Sequence, residues 1–273
     1  MPTPAYLLVA HGSRDPRPAK ELSQLAQQVA ASLASASRPL APVGATSYSS
    51  APPDAANLPL VATAFLELQP EPLHQQILAV SEQAVAAGYD ELYILPLFLL
   101  PGVHVMEDIP AEVAIAQTQL HGPLALHLCD HFGHYSQLSQ KLRSALPYSH
   151  GKRILLSHGS RHPGGNAPIE VLADALEALP AFWSVEPDLK TQVEKQCLHQ
   201  CLDTGQTGTD ITIIPYFLFS GGITDAIAQQ KQELATQFPK QTFHVLPPLN
   251  QSFPLAQWIV DWIVMGIHST RLL

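Results

Sequence analysis

The stretch LLVAHGSRDP, residues 7–16, has a near copy in LLSHGSRHP, residues 155–163, and each closes a short apolar run just before a helical pattern. Strand, polar turn and helix in that order, written twice in one chain, leave few folds open. In the first copy AYLLVA reads as a strand, HGSRDPRP as a loop and AKELSQLAQQVAASLA as a helix, with Leu22, Leu25, Ala26 and Val29 on one face. LVATAFLEL, ELYILPLFL and LALHLC then read as strands. PEPLHQQILAVSEQAVAAG, stopped by Gly88, MEDIPAEVAIAQTQL and YSQLSQKLRSAL read as the helices between and after them.

The second copy keeps this order. AFWSVEP answers AFLELQP, DITIIPYFLFSGG answers ELYILPLFLLPGV, and TFHVLPPL is the last strand before a closing helix from about Ser252. Short apolar strands alternating with helices call for parallel sheets covered on both faces. The expected fold is α/β: two similar βα-repeat domains, each with a four-stranded parallel sheet flanked by helices. The boundary falls near PYSHGK, giving domains 1–149 and 150–273. The first copy is longer mainly through residues 38–59, rich in Pro, Ala and Ser, which read as a surface loop.

Composition narrows the partners. Hydrophobic residues make up 46% of the 273 and charged ones 14%, with a formal net charge of −9. Phosphate backbones bind basic faces, so a nucleic-acid partner is not expected. LYILPLFLLPGV and WIVDWIVMGI are too short to span a bilayer, and the N-terminus lacks the pattern of a signal peptide, so no membrane association is expected. Three cysteines, Cys129, Cys197 and Cys201, form no disulfide framework, which suits a cytoplasmic protein.

Ligands of open parallel sheets bind outside the C-terminal strand ends. In the first copy His11 follows strand one, Glu67 closes strand two in AFLELQP, and His104 lies just past strand three in LLPGVHVMEDIP. Strands lie roughly 4.8 Å apart, so in the order 2-1-3-4 these side chains fall within about 10 Å of one point. Two imidazoles and a carboxylate admit two readings. They can hold a divalent first-row metal with positions left open for a substrate, or one imidazole can act as a base while the others steer. In the second copy His158 repeats His11, Ser184 answers Glu67, and IIPYFLFSGGITDAIAQQ has no histidine. Only the first copy carries the whole set, and His158 is left with a supporting role.

LLVAHGSRDP, AFLEL and LPLFLLPGVHVMEDIP, in that order, make the chain resemble the sirohydrochlorin chelatases, the class II, ATP-independent tetrapyrrole chelatases. The resemblance covers nearly the whole chain, including YFLFSGGITDAI, and is to the fused, double-length form. It implies a chelatase-like fold and a monomer that inserts Co²⁺ or Fe²⁺ into sirohydrochlorin, for cobalamin or siroheme synthesis. It implies that His11 and His104 are the metal-handling histidines, with Glu67 the glutamate after the second strand. The metal is then a substrate, with no permanently bound cofactor, and no cysteine cluster is present to hold an iron–sulfur group. The expected substrate carries many carboxylates. Helix starts after Gly-Ser loops attract such groups, and Ser13, Arg14, Gly102, His158 and Arg161 are the expected contacts, with Arg17 and Lys20 nearby.

Other features weigh less. HLCDHFGHY gathers His127, Cys129, Asp130, His131 and His134, yet strand and helix expectations point them apart, with His131 and His134 opening a helix. Cys197 and Cys201 lie one helical turn apart and supply two ligands, too few for a closed tetrahedral site. Glu107 and Asp108 follow His104 and either assist the metal or favour a helix dipole. A carrier that binds metal or tetrapyrrole without turnover is the alternative function. Phosphoryl transfer through a histidine ranks last, because no Walker loop is present.

Overall fold

The computed structural model describes residues 4–36, 58–147, 151–203 and 210–265 (the backbone alone for 198–203). Residues 38–57 of the proline-rich insertion, and the side chains of His199 and Cys201, lie outside the described residues. Two four-stranded sheets are present, with strand orders β2-β1-β3-β4 and β6-β5-β7-β8. The first holds β1 (Ala5–Ala10), β2 (Val61–Phe65), β3 (Glu91–Pro96) and β4 (Ala125–Leu128). The second holds β5 (Lys152–Ser157), β6 (Ala178–Phe182), β7 (Asp210–Pro215) and β8 (Thr242–Val245). Every pairing is parallel. A central strand covered on both faces has no solvent side, which is why β1 is buried at all six positions and reads as an unbroken apolar run.

Helices α1 (Pro16–Ala36), α2 (Leu73–Ala86), α3 (Ile109–Gln119) and α4 (Leu138–Ala145) follow the strands of the first sheet. In α1 the buried residues are Leu22, Leu25, Ala26, Val29, Ala30 and Leu33, a single stripe at three- and four-residue spacing. The second series has α5 (Ala167–Ala175), α6 (Leu189–Asp203), α7 (Gly222–Gln237), the short α8 (Leu249–Ser252) and α9 (Leu255–Val264). His131 and His134 do not open a helix as expected. A single 3-10 turn spans Phe132–His134, because Gly133 N–H is held by Phe98 O at 2.8 Å and the chain turns again before α4.

Two compact units result, Met1–His134 with Leu255–Leu273 and Tyr135–Pro254. Each contains one whole sheet. Helix α9 belongs to the first unit, where it packs on α1 and sets Trp262 edge-on to Phe132, ring centres 5.5 Å apart. Helix α4 belongs to the second, against α5. Among the described residues no helix is long and apolar enough to cross a membrane.

Candidate metal centre

The turn after β1 is fixed by backbone pairing that continues past the strands. Leu66 N–H donates to Ala10 O and Glu67 N–H to His11 O, both at 2.9 Å, so the residue after β1 lies beside the segment after β2. Gly12 permits this approach. Its φ of +105° lies where side chains are disfavoured, and a Cβ there would collide with the Glu67 carbonyl. His11 and Glu67, far apart in sequence, are thereby locked side by side.

His104 arrives from β3. Leu97 N–H bonds Val9 O at 2.7 Å, and Gly102 O accepts from Val105 and Met106 N–H, starting a π-helical turn over His104–Asp108 that runs into α3. Comparison with the second half explains the wide turn. Pro96 corresponds to Pro215, yet beyond the turn Ile109, Ala116 and Leu120 correspond to Ile227, Leu234 and Phe238. The first half therefore has one residue more, absorbed where the helix begins. Such insertions cluster at functional sites because they re-aim side chains without breaking the helix. Here the turn lets His104 Nδ1 meet Asp108 Oδ2 at 2.7 Å.

That contact sets the ring's tautomer. The Asp108 carboxylate accepts, so His104 Nδ1 carries the proton and Nε2 presents a lone pair. His11 Nδ1 lies 3.3 Å from Gly12 O, another acceptor, and its Nε2 is turned to the His104 ring. The two Nε2 atoms face each other at 3.1 Å, the rings nearly perpendicular at 83°. Two lone pairs at that distance repel unless a proton or cation lies between them. Glu67 Oε2 is 3.9 Å from His11 Nε2, and one ligand atom from each of the three residues falls within 4.8 Å of the others. Phe98 backs both rings, with centroids 6.3 Å from His11 and 6.4 Å from His104. The His11 and Glu67 side chains stay about half exposed, at 50% and 46%, so the centre opens outward.

The second half repeats the turn without the chemistry. Trp183 and Ser184 N–H donate to Ser157 O and His158 O at 2.9 Å, and His158 Nδ1 lies 3.2 Å from Gly159 O. Ser184 Oγ donates to His158 O at 2.9 Å, closing the position where Glu67 reaches out. Ile223 and Ala226 replace His104 and Asp108 on a helix that starts without the extra residue.

The remaining expected contacts fall on both units. Ser13 Oγ accepts from Asp15 N–H at 3.0 Å and so shapes the loop. Arg17 is committed to Asp15, its Nη2 at 2.6 Å, and this bonding holds the Asp15 carboxyl below its ordinary range. Arg14, Lys20 and Glu107 are exposed on the first unit, while His158 and Arg161 stand on the second. Nor does HLCDHFGHY converge. His127 stacks on Tyr93 at 4.6 Å, His131 Nδ1 lies 3.0 Å from Phe98 O, and His134 pairs with Asp130. Burial pushes the Cys129 thiol up to about 12, the wrong direction for a thiolate ligand. Among the described residues, His11, Glu67 and His104 are the group able to hold a metal. Sequence reasoning left Asp108 undecided and missed Phe98. An acid four residues after the histidine was the available signal for Asp108.

Comparison with known proteins agrees with this architecture. Residues 5–147 and 152–264 each match the CbiX family. Sirohydrochlorin ferrochelatase of Bacillus subtilis is 24% identical over 199 residues, 67% of this chain and 70% of that protein. Among solved structures, SirB from Bacillus subtilis with Fe³⁺ superposes with a TM-score of 0.67 at 20% identity, covering 97% of this chain and 95% of that one. The sirohydrochlorin chelatase SirB from Bacillus subtilis subspecies spizizenii, in complex with cobalt, gives 0.61 at 18% identity, covering 96% and 97%.

Proposed function

The chain belongs to the CbiX family, and from that premise we propose that it inserts a divalent metal, Co²⁺ or Fe²⁺, into sirohydrochlorin without ATP. The observation that carries this reading is the outward-facing trio His11, Glu67 and His104, whose ligand atoms lie within 4.8 Å of one another, the two imidazole Nε2 atoms 3.1 Å apart. The names of its relatives, sirohydrochlorin ferrochelatase and SirB with iron or cobalt, supply the substrate class.

Insertion exchanges one M²⁺ for two pyrrole N–H protons, so the site must offer the metal on one side and accept protons on the other. His11 and His104 are assigned to the metal and Glu67 to the two pyrrole protons, which it takes one at a time and passes to solvent from its half-exposed carboxylate, with Asp108 holding the His104 ring in its metal-binding tautomer. Leu68, Val103 and Met106 are each more than half exposed and adjoin Glu67 and His104 along the chain, giving a flat ring apolar surface to lie against.

The test is anaerobic mixing of purified protein with sirohydrochlorin and Co²⁺, Fe²⁺ or Ni²⁺, following the pigment's absorption. Metallation at least about tenfold faster than in protein-free controls is expected, a modest demand given typical enzymatic accelerations. Stoichiometric metal binding with unmetallated pigment would instead identify a carrier.

A further inference from the structure

Helices α2 and α3 of the first half are clasped. Glu112 Oε2, on α3, accepts His74 N–H at 2.8 Å and lies 2.9 Å from His74 Nδ1 at the start of α2. By the correspondence that matches Ile109 with Ile227 and Leu73 with Leu189, Gln230 stands for Glu112 and Lys190 for His74. The clasp is not rebuilt. Lys190 turns to Glu194, 3.9 Å away, and Gln230 Oε1 is buried with no hydrogen-bond partner among the described residues. A cavity of about 330 Å³ opens where the clasp would be, between the end of β6, the start of α6 and the face of α7.

We propose that this cavity of the second half is a binding site for a small organic cation with an apolar or aromatic body, an alkyl- or arylammonium. Its walls carry Phe182, Trp183 and Leu189 as apolar surface and Asp188, Gln229, Gln230 and Glu233 as polar groups, with no Lys, Arg or His lining it among the described residues. Carboxylates offer oxygens that accept, and Asp188 spends Oδ1 on Thr191 N–H at 2.7 Å, capping α6 and offsetting its positive end. The orphaned Gln230 Oε1 also requires a donor, since a buried acceptor left alone is destabilising. Trp183, 38% exposed, offers an aromatic face to a cation. Anions are excluded by the same walls. The ligand therefore differs in charge from the polycarboxylate proposed for the first half, and this site stands or falls independently of it.

Isothermal titration of the full chain with benzylamine, benzyl alcohol and benzoate tests the proposal. Saturable binding of benzylamine is expected, at least about tenfold tighter than the isosteric alcohol and with no binding of benzoate. Glu233→Gln and Trp183→Ala should each weaken it by about threefold or more, while Trp183→Phe retains most of it and His104→Ala leaves it unchanged. No saturation up to about 10 mM, equal affinity for amine and alcohol, or insensitivity to Glu233→Gln and Trp183→Ala would overturn the assignment.

Discussion

The two halves share a strand order, a His-Gly-Ser-Arg turn and the same hydrogen bonds around it, and His158 repeats His11, yet they differ at the other residues of the candidate metal centre. Glu67 becomes Ser184, whose hydroxyl folds back on His158 O. His104 and Asp108 become Ile223 and Ala226, and the additional residue of the wide turn is gone. Conversely, the first half closes the space between its second and third helices with Glu112 and His74, and the second leaves it open. A duplicated scaffold thus places a polar centre at the strand ends in one copy and a helix-walled cavity in the other. The backbone conditions for a site and the side chains that equip it are separable.

That contrast can be broken experimentally. The largest effect is expected from His11→Ala or His104→Ala, each lowering the metallation rate by about a hundredfold or more, the scale of losing a metal ligand together with a base. Were both variants to stay active, the first-half centre would not be the site. Asp108→Asn keeps the shape but offers an amide to the ring, so a loss of about tenfold is expected in kcat with little change in the KM for pigment. A change confined to KM would mean Asp108 touches the pigment instead.

Acid offers a smaller and different contrast. Burial chiefly holds the His131 imidazole below its ordinary range, and the His134 charge adds to this. Phe98 O and Asp130 pull the other way. A ring that resists protonation when folded leaves the unfolded chain binding more protons, so its contribution is whole above about pH 6.5 and is lost as pH falls below that value. Urea midpoints taken at about pH 7.5 and 5.5 should fall more for the native chain than for His131→Asn. Equal falls would assign the acid sensitivity elsewhere. The smallest change is expected from His158→Ala, under about twofold in metallation, because the groups that would make its imidazole a ligand are missing. A loss as large as that of His11→Ala would give the second turn a direct part in the reaction.

The fold was legible because it is written in long-range pattern. Apolar strands such as AYLLVA and DITIIP, and the recurrence of HGSR, carry the parallel sheets on their own. His11, Glu67 and His104 were also legible, since strand-end position follows from strand order. Asp108 was not, because whether a carboxylate four residues on meets an imidazole depends on the local winding of the helix, which residue types do not encode. Ser13 and Arg17 show another limit. Sequence reads the turn of Ser13 and the helix start at Arg17 as poised for ligand, but Asp15 engages the Ser13 hydroxyl through its N–H and the Arg17 guanidinium through its carboxylate. The open cavity left no trace either, since a missing contact has no motif.

The membership of α9 in the first unit has a consequence for biosynthesis. Its Trp258, Ile259, Trp262 and Ile263 are buried, so the first unit cannot finish its core until α9, which follows the whole second sheet, has been made. The lobe bearing His11 and His104 must wait, partly open, through translation of the other lobe, and a nascent chain stopped short of Leu255 would carry the candidate metal centre on an unfinished support.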